Sequence, residues 1–73
     1  MDIGSKALKR LGKRIAMLRR EHGYSQEAFA YEVDLARSYV SGVERGVRNL
    51  SFKTVARIAK TLGISIAELC QGV

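Results

Sequence analysis

The sequence predicts an all-α fold: a compact arrangement of five short helices in one 73-residue chain, read as a single domain over residues 1–73. Three observations predict it. Apolar residues recur at steps of three and four, and no segment alternates with period two long enough to form a strand. Gly23, Gly46 and Gly63 fall between the periodic segments and punctuate them. Ser25, Ser51 and Ser65 each stand where a helix begins, with an apolar residue just before and another at the fourth helical position.

The first helix spans about 5–21, with Leu8, Leu11, Ile15 and Leu18 on one face. Gly23 supplies the left-handed residue that ends it. Gly12 weakens this helix and marks a close contact. The second runs over 26–33, capped by Ser25 and stapled by Tyr24 and Phe29, with Glu27 beside its positive dipole end. The third, about 36–44, is badly made. Gly42 in its middle costs about 1 kcal/mol relative to alanine. Tyr39, Val40 and Val43 are restricted at χ1, and Ala36 stands where a capping side chain is expected. The fourth, 52–62, is stapled by Leu50 and Val55, carries Phe52, Val55, Ile58, Ala59 and Leu62 on one face, and stops at Gly63. The fifth, about 66–71, has Ile64 and Leu69 as its staple and a capping box between Ser65 and Glu68.

Thirteen basic residues against seven acidic give a net charge of +6 and a pI near 10.0. That is the electrostatic footprint of nucleic-acid binding in so small a chain, although a solubility charge has the same sign. Seven of the basic residues, Lys6, Lys9, Arg10, Lys13, Arg14, Arg19 and Arg20, lie on the first helix. Most read as a solvated face, with some adding salt-sensitive attraction to DNA. Cys70 is the only cysteine, so no internal disulfide forms; a reducing cytoplasmic setting fits. No apolar run approaches the ~18 residues of a membrane span. His22 is the only histidine and ends the first helix. With no second histidine, cysteine pair or acidic cluster, neither a metal site nor a catalytic dyad is expected, and no cofactor-binding glycine loop appears. The chain is not expected to be an enzyme.

Function concentrates in the second and third helices. About two residues separate them, which forces a sharp angle, and Ala30 is small where they must meet. Phe29, Val33, Leu35, Val40 and Val43 supply their apolar contacts. This is a helix-turn-helix at 26–44, whose second helix enters the DNA major groove.

The run "SQEAFAYEVDLARSYVSGVERG" resembles the Cro/repressor-type (Xre-like) helix-turn-helix family, whose five-helix, lambda-repressor-like domain covers about residues 6–72. Asp34 departs from that family's usual turn glycine, and Leu50 from a common proline. Within the family, "LARSYVSGVERGVRNLS" is similar to the controller proteins of restriction–modification systems. That likeness implies a homodimer bound to a partly palindromic double-stranded DNA operator, controlling its own gene and often a nuclease gene. RNA polymerase is a further expected partner, because activation or repression depends on where the protein sits relative to it. A phage-like repressor or antitoxin-type autoregulator is the alternative. A protein-interaction module without DNA binding is the alternative from another class.

Residue roles follow. Arg37, Ser38 and Tyr39 open the recognition helix, where side chains reach base edges; an arginine grips guanine through O6 and N7. Ser41 lies one turn on. Gly42 leaves room for a close approach by the duplex or by a neighbouring side chain. Arg45, Arg48 and Asn49 lie along the phosphates, and Gln26 offers its amide and helix-start N–H groups to a phosphate. The resemblance implies that Arg19 and Glu44 form a structural ion pair. Ile64, Ile66, Leu69 and Val73 crowd one end with more apolar surface than a thin core absorbs, and are expected to form the dimer interface.

Overall fold

The computed structural model describes residues 4–73. Five helices follow one another: α1 (Ser5–Glu21), α2 (Gln26–Val33), α3 (Arg37–Glu44), α4 (Phe52–Leu62) and α5 (Ile66–Leu69). No strand occurs among the described residues. The helices enclose one core, in which Leu11, Ile15, Phe29, Leu50, Ile58 and Leu69 are almost fully buried.

The serine caps form in all three places: Ser25 accepts from the Ala28 amide, Ser51 from Thr54 and Ser65 from Glu68. Glu68 closes the capping box by accepting from the Ser65 amide at 3.1 Å. In the first staple the Tyr24 and Phe29 rings sit 5.8 Å apart, tilted by 53°. Leu50 and Val55 are both buried in the one core, so an apolar residue takes the place of the proline common at that position.

Helix ends repeat one device. After α1, α2, α3 and α4, two amides fold back in a Schellman arrangement, as in Leu35 N–H to Ala30 C=O at 2.9 Å and Asp34 N–H to Tyr31 C=O at 3.2 Å. The left-handed residue is glycine except after α2, where Asp34 has φ 58°. Arg57 from α4 braces this exception. Its Nη2 donates to the carbonyls of Val33 at 2.6 Å and Asp34 at 3.1 Å, and lies 3.3 Å from Asp34 Oδ2. Those carbonyls have no partner within the helix, and a guanidinium satisfies them. Ala30, buried at the helix joint, leaves α3 room to turn sharply against α2.

Four expectations need correction. Helix α3 begins at Arg37, because Ala36 is the extended residue before it (φ −67°, ψ 143°), with no side-chain cap hydrogen bond. Helix α5 ends at Leu69, since Cys70 and Gln71 form a turn that runs into Gly72 at φ 79°. Phe52 is not core: as the first residue of α4 it lies beyond the buried stripe and is 60% exposed. Leu69 is wholly enclosed within the chain's own core, at 0% exposure. It therefore has no surface to give to a dimer interface.

Candidate nucleic-acid interface

Helix α3 divides cleanly into two faces. Val40 and Val43 are buried in the core. Arg37, Ser38 and Arg45 are exposed, and Ser41 is half-buried. Steps of three and four residues place these four on the opposite side of the helix. Each edge of this outward face is tied down differently.

One edge is held by Glu44. Arg19 Nε donates to Glu44 Oε2 at 2.7 Å, and Arg19 Nη2 to Oε1 at 3.2 Å. Arg19 Nη1 also donates to the Tyr24 carbonyl at 2.8 Å. The two side chains are 9% and 6% exposed, so the pair is shielded and bidentate, the geometry that gives an arginine–carboxylate contact its strength. Gln26 Nε2 adds a 3.0 Å hydrogen bond to Glu44 Oε1. The start of α2, the last turn of α1 and the end of α3 thus meet at one carboxylate. Gln26 points into this junction, and its amide is engaged there.

The other edge is held by the segment after the helix. Tyr39 is half-buried and its hydroxyl donates to the Asn49 carbonyl at 3.0 Å. The Arg48 guanidinium carbon lies 5.9 Å from the centre of the Tyr39 ring, within cation–π range. Arg48 and Asn49 are themselves exposed. Tyr39 is thereby a strut as well as a surface group.

Beneath this face, α1 comes close because Gly12 has no side chain. A Cβ there would collide with the Val43 carbonyl oxygen and stand 2.7 Å from that of Glu44. A shallow groove opens beside the contact, lined by Lys13, Ala16, Arg20, Gln26, Ser41, Glu44 and Arg45. Lys13 and Arg20 were part of the solvated face in sequence; the fold sets them next to the residues of α2 and α3. Helical spacing alone cannot assign them there, since the partner of an exposed face is a tertiary fact. Arg57 likewise has only one hint in sequence, the non-glycine turn residue it supports.

The remaining candidate residues lie at the far end. Ile64, Ile66 and Val73 are half-buried at the margin of the core, together with Cys70. No group of three or more His, Cys, Asp or Glu side chains able to hold a metal ion occurs among the described residues. No helix among them is long and apolar enough to cross a membrane.

Comparison with known proteins agrees with this architecture. The profile of the family described as helix-turn-helix matches residues 15–69. The chain is 43% identical over 61 residues to control protein C.MunI of a Mycoplasma species, covering 82% of each chain. Among solved structures it is similar to the restriction-modification controller protein C.AhdI from Aeromonas hydrophila, with TM-score 0.82 and 42% identity over 90% of this chain and 98% of that one. It is also similar to the restriction-modification controller protein C.Esp1396I, solved as a tetramer in complex with its natural 35 base-pair operator. There the TM-score is 0.82 and the identity 37%, over 93% of this chain and 90% of that one.

Proposed function

The chain belongs to the helix-turn-helix family, alongside restriction–modification controller proteins, and on that premise we propose that it is a homodimeric, operator-binding transcription regulator of the controller type. The carrying observation is the bared face of α3, on which Arg37, Ser38, Ser41 and Arg45 point away from a core that holds Val40 and Val43. Arg37 reads a guanine, and Ser38, Tyr39 and Ser41 contribute to base edges. Arg45, Arg48, Asn49 and the start of α2 at Gln26 lie along phosphates and set the register. Arg19 and Glu44 hold α3 and read nothing.

The partner is double-stranded DNA in the cytoplasm, and the whole chain serves as one binding domain with no chemistry of its own. RNA polymerase is a further partner where the operator lies beside a promoter. Two protomers meet through Ile64, Ile66 and Val73.

Gel shifts on the DNA upstream of its own gene, at 50 and 200 mM salt, test the reading. Each neutralised phosphate contributes about −0.9 to the salt slope, so roughly six contacts weaken binding about a thousandfold over that range. Absent or salt-insensitive binding would favour a protein-interaction module instead. A methyltransferase or endonuclease gene next door would separate a controller from a phage-type repressor.

A further inference from the structure

We propose that Gly42 is a positioning residue for DNA binding: its missing Cβ is the seat in which Arg48 is held over Tyr39, ready for the duplex. The proposal rests on the DNA-binding reading above. Gly42 lies in the interior of α3, where glycine weakens a helix. Its backbone does not require glycine, because it is helical and has no positive φ, unlike Gly23, Gly46, Gly63 and Gly72. The reason is therefore a neighbour. A Cβ at Gly42 would stand 2.7 Å from Arg48 Cγ, 3.3 Å from Nε and 3.6 Å from Cδ.

The nature of that neighbour matters. At Gly12 the space is filled by the backbone carbonyls of Val43 and Glu44, and at Gly46 partly by the backbone of Lys9. Backbone cannot step aside, so those glycines serve the fold. Gly42 faces the side chain of an exposed residue, whose Cγ leaves the notch by rotation about χ1 without moving the core. An alanine at Gly42 would be compatible with the fold and would evict Arg48.

Three contacts show that the seat is part of a larger strap. The Val47 amide donates to the Gly42 carbonyl at 3.0 Å. The Arg48 guanidinium lies over the Tyr39 ring. The Tyr39 hydroxyl donates to the Asn49 carbonyl. Residues 47–49 are fastened along the edge of α3 next to Tyr39 and Gly42. A long side chain ordered only on binding gives up its rotamer freedom at that moment. Arg48 has given it up in the free protein, so it meets a phosphate at the groove edge at little further cost.

The experiment is a double-mutant cycle read by fluorescence anisotropy on a labelled duplex spanning the DNA upstream of the gene. Gly42→Ala should melt no lower than the parent and bind roughly two- to tenfold more weakly, the immobilisation of about one long side chain. In an Arg48→Ala background, Gly42→Ala should cost nothing more, because its effect runs through Arg48. Heteronuclear NOE of the Arg48 Nε–H in the free protein gives a readout independent of DNA: ordered in the parent, mobile in Gly42→Ala. Equal losses in both backgrounds would mean that Gly42 serves the approach of the duplex itself, and would overturn the proposal. So would unchanged affinity, a mobile Arg48 in the parent, or a Gly42→Ala chain that no longer melts cooperatively. Failure of the parent to bind the duplex at all instead removes the functional reading, and the NOE comparison still decides the seat.

Discussion

Glu44 carries a negative charge on the same helix that presents Arg37 and Arg45, which is costly near DNA unless the charge is spoken for. Arg19 and Gln26 account for both of its oxygens. Removing one partner of such a shielded pair strands the other, at roughly 3–5 kcal/mol. Total stability for a chain this size is about 4–11 kcal/mol. Arg19→Ala should therefore lower the thermal midpoint sharply while leaving the ranking of operator variants unchanged. A shift in that ranking with the melt intact would make Arg19 a DNA-reading residue. Arg37→Ala should do the opposite: little change in the melt, and discrimination at one base pair reduced by about 1–3 kcal/mol, seen as a flattened affinity series over duplexes substituted at that pair. Loss of affinity that is uniform across the series would assign Arg37 to phosphate. The Arg19–Glu44 pairing was legible in sequence only through the family resemblance. Nothing in composition or spacing links two residues 25 positions apart. The Arg57 brace on Asp34 left almost no sequence signal, because it joins a helix end to an unrelated helix face.

At the scale of the element, α3 is a weak helix kept in place by its neighbours. It has eight residues, a glycine inside and no side-chain cap, whereas an isolated helix shorter than about 12–15 residues is marginal even with good formers. The burial of Val40 and Val43, the Gly12 contact and the Glu44 junction hold it. Ala36 already has the extended geometry of a capping residue, so a hydroxyl placed there needs no backbone change. Ala36→Ser should stabilise the protein by about 1 kcal/mol, read as a higher urea midpoint with an unchanged slope. An unchanged midpoint would mean that water already satisfies the first amides of α3 at no cost.

At the scale of the molecule, one protomer measures 27 × 23 × 20 Å between its Cα extremes. Successive major-groove faces lie about 34 Å apart. A single chain therefore offers one recognition helix to one half-site, and a partly palindromic operator calls for two chains. The half-buried Ile64, Ile66 and Val73 are the surface we assign to that pairing, with Leu69 excluded by its burial. Ile66→Glu should give a sedimentation coefficient of a monomer at micromolar concentration and a loss of cooperative operator binding, with each chain still melting cooperatively. A parent protein that sediments as a monomer at that concentration would sink the assignment.

By itself the sequence determined the five helices, their order and nearly all their limits. Caps, staples and the glycines between segments are local devices that act within a few residues. It also determined which residues of α3 face outward, because the buried stripe of Val40 and Val43 leaves the other side free. The tertiary structure alone decided what surrounds that face: Arg19 and Gln26 on Glu44, Arg57 under the Asp34 turn, Lys13 and Arg20 beside Arg45, and Arg48 in the notch of Gly42. It also decided that Leu69 lies inside while Phe52 lies outside. These are contacts between helices, set by how the faces pack in three dimensions, and no periodicity along the chain encodes the angle at which one helix meets another.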